Sequence, residues 1–262
     1  MNNKNAIGRR ARLAPAAAGL VLALSLGGCA TGPNANPSDP LEPLNRNVSK
    51  FNEGVDAVLL KPTATLYREA VPPLLRTGVS NFFGNLGDAW STINNLLQFK
   101  IQYAAESLMR FSVNTTIGMG GFLDVASDMN LERHKEDFGQ TLGRWGVPAG
   151  PYIVLPLLGP STLRDTAALP VDWNGDIVTH VNPDSARNGL IGLRVVDVRS
   201  NLLRAGDVLE GAALDKYSFT RDAYLQRRRS QIFDSSRGDN PSDGSDGRDG
   251  RDGSDGSDGS DG

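Results

Sequence analysis

Residues Phe138 to Asp165 read FGQTLGRWGVPAGPYIVLPLLGPSTLRD. Outside the first thirty residues this is the most apolar part of the chain, yet Gly and Pro interrupt it repeatedly. A membrane-spanning helix needs about 20 consecutive apolar residues, and a proline inside a helix costs ~3 kcal/mol. The stretch is therefore a series of short, kinked segments that is either buried or in contact with lipid.

Both ends of the chain read as something other than fold. Lys4, Arg9, Arg10 and Arg12 form a basic start, followed by an apolar run from Leu13 to Leu26. That pattern is a secretory signal over residues 1–28. It ends in Leu26-Gly27-Gly28-Cys29, which resembles the box at which bacterial lipoproteins are acylated. Cys29 is the only cysteine of the 262 residues. A lone thiol just after an export signal is best explained as a lipidation site. Several acyl chains on one residue hold a protein on a membrane where a single chain does so only marginally. Ala30 after the cysteine points to the outer membrane, by resemblance to lipoprotein sorting. Residues 29–38 read as a tether. At the other end, residues 238–262 read as a disordered tail: Ser242 to Gly262 repeats Ser/Arg-Asp-Gly, the triplets contain no proline, and such a composition cannot bury a core. With both ends removed, the net charge of −3 shrinks to a nearly neutral body. A neutral body carries no electrostatic footprint for nucleic acid.

Between the ends, residues 39–237 read as one helical domain. Leu41, Leu44, Val48, Phe51, Val55 and Val58 recur at steps of three and four, which predicts an amphipathic helix stopped at Lys61 by Pro62. Periodicity does not say whether its apolar face meets core or acyl chains. A short helix is predicted from Pro62 to Ala70, closed by Pro72-Pro73. Another carries Leu74 to Leu86 and breaks at Gly84 to Gly87, with Asp88 capping the next. Ile101 to Thr116 is predicted helical. Gly118, Gly120 and Gly121 then make Ile117 to Asp124 a tight turn rather than a helix interior. Ser161 reads as the cap of a further helix, Asn174 to Asn188 as a loop, and Leu190 to Leu203 and Ala205 to Phe233 as helices. Arg227 to Arg229 reads as a solvated helix end.

Signals for catalysis are missing. There is no Gly-x-Ser-x-Gly elbow and no His-Glu-x-x-His, and the glycine-rich turn lacks the Lys-Ser/Thr of a phosphate loop. His134 and His180, the only histidines, lie far apart, so no metal site is expected. No cofactor is expected either.

Four blocks carry a resemblance to a known family: DPLEPLNRNVSKFN (Asp39 to Asn52), NTTIGMGGFLDVAS (Asn114 to Ser127), Phe138 to Asp165, and DKYSFTRDAYLQRRR (Asp215 to Arg229). Together they resemble the MlaA/VacJ family of outer-membrane phospholipid-transport lipoproteins. The resemblance implies an all-α, ring-like single domain of amphipathic helices around a central channel, seated in the inner leaflet of the outer membrane. It implies a non-enzymatic function: phospholipid mislocalised to the outer leaflet is removed and passed to a periplasmic carrier protein, with a trimeric porin as companion. On that basis Gly118, Met119, Gly120, Gly121, Phe122 and Leu123 are the expected channel gate, with Met119 and Phe122 facing lipid and plain packing as their alternative; Tyr152 to Leu158 is expected to lie along or beside the membrane, with Gly143 and Gly146 allowing close helix contact. Phe51 and Asn52 are expected to support the gate hairpin, and Arg144 and Arg164 are candidate headgroup contacts, with an ion pair to Asp165 or a neighbour as the alternative. A lipoprotein that only scaffolds porins and a cryptic lipid hydrolase are the competing readings.

Overall fold

The computed structural model describes residues 39–212 and 215–233, with side chains through 206 and again from 215. The signal, Cys29, the tether and the Asp-Gly tail lie outside the described residues. Within them the chain is helical with one small sheet, and no helix is long and apolar enough to cross a membrane.

Helix α1 (Glu42–Val55) begins with Pro43 in its first turn, where a missing N–H is harmless. A π-helical turn (Asp56–Leu60) leads directly into α2 (Lys61–Ala70), so Pro62 starts a helix as expected but no break precedes it. Helix α3 (Pro73–Leu97) runs 25 residues through Gly84 and Gly87 without interruption. The predicted break and the Asp88 cap are thus corrected: Asp88 is buried mid-helix and pairs with arginines instead. Helix α4 (Ile101–Thr116) matches its predicted limits and packs back along α3. A short α5 (Val125–Asp128) and α6 (Phe138–Arg144) follow.

The stretch quoted first then does what no helical reading anticipated. Strands β1 (Tyr152–Leu155) and β2 (Gly159–Thr162) form an antiparallel hairpin, with Tyr152 opposite Thr162 and Leu155 opposite Gly159. Thr162, rather than Ser161, caps α7 (Leu163–Gly175) by accepting from the Asp165 N–H. A 3-10 turn (Ile177–His180) separates α7 from α8 (Asp184–Ala212), so the predicted loop is half helix. Helix α9 (Lys216–Phe233), the last described element, packs against α6 and β2.

A two-stranded hairpin leaves an open edge of backbone groups, which is a liability unless something covers it. Here α1 covers it with side chains. Asn45 donates to the Tyr152 carbonyl (3.0 Å) and accepts from the Val154 N–H (2.9 Å). Seven residues on, Asn52 donates to the Leu155 carbonyl (3.0 Å) and accepts from the Leu157 N–H (2.8 Å). Two asparagines on one helix face thus act as a third strand. Tyr152, Val154 and Tyr217 form the small apolar cluster beneath, joined by Val48.

Burial elsewhere is inverted relative to a water-soluble protein. The buried face of α3 carries Asn85, Asp88, Ser91, Thr92, Asn94 and Asn95, while its Ile93 and Leu96 are exposed. At the tip between α3 and α4, Phe99 projects with φ 61° and is 83% exposed. Its neighbour Lys100 turns inward to Glu136 (2.8 Å), whose carboxylate also accepts from Gln98 (3.0 Å). Lysine is rarely buried unless paired, and large exposed apolar faces mark interaction with partners or membranes. Leu74 at the start of α3 belongs to the same outward apolar set, which Val58, Leu66 and Ile101 continue on the other helical segments.

Candidate functional site

After α4 ends, the chain reverses over Gly118 to Leu123. The turn closes on itself: Gly121 N–H donates to the Asn114 carbonyl (2.7 Å) and Leu123 N–H to the Gly118 carbonyl (2.9 Å). Met119, Gly120 and Gly121 all have positive φ (56°, 74° and 95°). Two of these positions suit glycine, and Met119 is the exception that bears the strain. At Gly118 a β-carbon would lie 2.3 Å from the Leu123 carbonyl oxygen, so nothing larger fits.

The expected gate pair divides. Met119 is 74% exposed at the tip, an unpacked apolar side chain, and Leu123 is exposed beside it. Phe122 instead lies half-buried with its ring over Gly78 of α3. Asn81 donates to the Phe122 carbonyl (3.2 Å), and Asn85 packs under Gly121 and donates to Thr115 (2.9 Å).

The foot of the turn is pinned by charge. Asp124 caps α5 and accepts from Arg110 Nη2 with both carboxylate oxygens (2.7 and 2.9 Å), and from Asn114 (2.9 Å) and Ser127 Oγ (2.7 Å). Burial would raise the Asp124 carboxyl, but the hydrogen bonds from Ser127 and Asn114 and the Arg110 charge outweigh it and hold it at about 2. Arg110 itself is buried and also donates to Ser127 and the Leu131 carbonyl. Asp88 approaches Arg110 (3.5 Å) and Arg133 (3.1 Å) from α3. Its pKa moves upward, because burial outweighs those two cations. An open crevice of about 460 Å³ beside this cluster is lined by Arg110, Asp124, Glu132 and Arg133. Two arginines and two carboxylates share its lining.

The remaining predicted residues are placed differently from expectation. Asn52 does support a hairpin, but it is the β1–β2 hairpin and not the glycine-rich turn, because its amide matches the exposed strand edge. Phe51 on the same helix is more than half exposed. Arg164 is buried and directs Nε and Nη2 at Asp165 Oδ1 (2.9 and 2.8 Å), which leaves the ion-pair reading and not the headgroup one. Arg144 is half-buried in the last turn of α6. Gly143 does allow close contact, since a β-carbon there would lie 2.6 Å from Ile232 of α9. Gly146 has open space around it and φ 88°, and so serves to end α6. Within Tyr152 to Leu158, Tyr152 and Val154 are buried and Leu157 and Leu158 face outward, with Trp145, Val147 and Leu163 exposed on either side. His134 pairs with Glu106 and stacks on Tyr103, and His180 meets the Asn174 carbonyl. Among the described residues there is no cluster of three metal-binding side chains.

One residue read as solvated is central. Arg228 on α9 is buried and grips Asp137 at the N-cap of α6 (2.6 and 2.9 Å) and Asp165 of α7 (3.0 Å). Tyr224 donates to the same Asp165 (2.8 Å). Tyr217, Tyr224 and Arg228 are spaced by seven and four, one helical face. That spacing separates Arg228 from the exposed Arg227 and Arg229 on either side.

The profile of a family described as MlaA lipoprotein matches residues 37–231. The chain is 37% identical over 217 residues to the "Intermembrane phospholipid transport system lipoprotein MlaA" of Escherichia coli K12, covering 78% of this chain and 85% of that one. It is 33% identical over 231 residues to the protein of the same name in Haemophilus influenzae, covering 82% and 89%. A solved structure from work described as "Structural basis for maintenance of bacterial outer membrane lipid asymmetry" superposes with TM-score 0.66 at 35% identity. The match covers 74% of this chain and 99% of that one. With a family profile matched across the helical body and the same helical architecture in a solved relative, the chain belongs to the MlaA lipoprotein family.

Proposed function

We propose that this protein is an outer-membrane lipoprotein that moves phospholipid between membranes and so maintains lipid asymmetry. Anchored through Cys29 on the periplasmic side, it takes mislocalised phospholipid from the outer leaflet and passes it to a soluble periplasmic carrier. The helical body lies in the inner leaflet, and a trimeric porin is the companion that the family resemblance implies. The observation that carries the reading is the inverted burial: Asn, Asp and Arg inside, with Phe99, Val58, Leu66 and Leu74 outside. Apolar surface facing acyl chains avoids the ~25 cal/mol per Å² that water would impose. A polar passage lowers the barrier to a headgroup, because an unsatisfied polar group in hydrocarbon costs roughly 2–7 kcal/mol. Helices satisfy their backbones internally and therefore tolerate lipid.

In this reading the Gly118–Leu123 turn is the gate, with Met119 at its lipid-facing tip. Arg144 is the cation proposed to meet the phosphate, since a guanidinium pairs with phosphate in bidentate fashion. No bond of the lipid changes. Organic extraction of the full-length protein purified in detergent should yield intact bound phospholipid. Protein that carries none would support the porin-scaffold reading. Fatty acid released from added phospholipid would support the hydrolase.

A further inference from the structure

The position of Phe122 has a cause on α3. A β-carbon at Gly78 would lie 2.1 Å from Cζ and 2.3 Å from Cε1 and Cε2 of the Phe122 ring. Gly78 is buried, and its missing side chain is the notch the ring fills. Asn81 and Asn85 follow at three and seven residues, on the same helix face. Asn81 holds the Phe122 carbonyl (3.2 Å), and at Gly121 a β-carbon would lie 2.6 Å from the Asn85 side chain. Three consecutive contacts on one face of α3 therefore receive the tip of the turn, while Asp124 and Arg110 hold its foot.

The two attachments differ in kind. The foot is an ion pair with four hydrogen-bond partners, and it shares the buried Arg110 with α4. The tip is one ring in a notch, one hydrogen bond and one glycine contact. Weakly attached segments are the ones that open first, and Gly120 and Gly121, both at positive φ, stand immediately before the seated ring.

We propose that Gly78, Asn81 and Asn85 form a docking strip for the glycine-rich turn, with Phe122 as the catch that sets the resting position of the gate. Gly78 is a positioning residue: it touches the catch and not the lipid. The inference rests on the reading of Gly118–Leu123 as a gate, and the test separates the two.

Hydrogen exchange of the full-length protein in detergent is followed over the peptide 117–124, in parallel with phospholipid on the cell surface. Gly78→Ala pushes the ring out of the notch, so exchange there should quicken roughly tenfold while 152–165 stays unchanged. Leucine lacks the three ring atoms that clash with a β-carbon at position 78. The double variant Gly78→Ala/Phe122→Leu should therefore return exchange toward wild type. Phe122→Ala removes the catch without adding an atom to α3 and should quicken exchange even if Gly78→Ala fails to fold. Surface phospholipid should change several-fold with the single variants and recover with the double. Unchanged exchange in Phe122→Ala, or no recovery in the double variant, overturns the catch. Quickened and rescued exchange with constant surface phospholipid keeps the catch and overturns the gate.

Discussion

Arg110→Ala is expected to destabilise the protein by about 5 kcal/mol, the upper end for removing one partner of a buried ion pair. Arg110 is 1% exposed and gives up two bonds to Asp124, one to Ser127 and one to the Leu131 carbonyl. Its loss leaves Asp124 and the more deeply buried Asp88 facing each other with only Arg133, itself a third exposed, between them. Arg110→Lys restores charge but not the forked geometry, so it should recover only part of the loss. Both are read as chemical-denaturation midpoints in detergent. An Arg110→Ala midpoint within experimental error of wild type would remove the foot of the turn from this description. The sign with pH follows from Asp124, whose folded pKa of about 2 is below its ordinary value. Its contribution is fully present above about pH 4 and is lost as pH falls toward 2.

Arg228→Ala should cost about 3 kcal/mol, nearer the lower end, because Asp137 keeps 38% of its side chain exposed and Arg164 still pairs with Asp165. Burial pushes both carboxyls up, but the hydrogen bonds and charge of Arg228 pull both below their ordinary value. In the wild type the stabilisation they supply is therefore present above about pH 4 and lost in acid. In the variant burial wins, and the carboxyls of Asp137 and Asp165 move upward. The stability deficit should accordingly be largest near pH 7 and shrink as pH is lowered toward 4. A deficit that is independent of pH would mean that Arg228 acts through packing alone. Arg227→Ala and Arg229→Ala, on exposed turns of the same helix, should leave the midpoint unchanged.

Helix positions were largely readable from periodicity, because a period of 3.6 survives whichever face is buried. Helix α4 begins and ends where Ile101 and Thr116 imply, and Pro72-Pro73 separates α2 from α3. What periodicity cannot give is which face points in. Along α1 and the π-helical turn after it, Leu44, Phe51 and Val58 face outward while Val48 of the same stripe turns to the Tyr152 cluster, and Asn45 and Asn52 meet the hairpin. The β1–β2 hairpin was hidden for a related reason. Four residues per strand are too few for an alternation to stand out, and half of its edge pairing comes from side chains of a helix more than one hundred residues away. Asp88 resembled a cap because Gly84 and Gly87 precede it, yet packing against α4 overrides the weak helix propensity of glycine.

The glycine-rich turn was legible as a turn, since three glycines in four residues admit little else. Its docking was not: the notch at Gly78 lies more than forty residues away, in a helix whose apolar spacing gives no hint of it. Phe122 and Met119 look equivalent in the sequence and are not equivalent in the fold. One is the seated ring and the other the free tip.

That this chain carries phospholipid out of the outer leaflet is tested most directly by deleting its gene in the native host and measuring phospholipid at the cell surface. Accessible phospholipid should rise well above wild type and return when the gene is restored, but not when Cys29→Ala is supplied. Surface phospholipid that stays at the wild-type level after deletion would contradict lipid removal as the function of this protein.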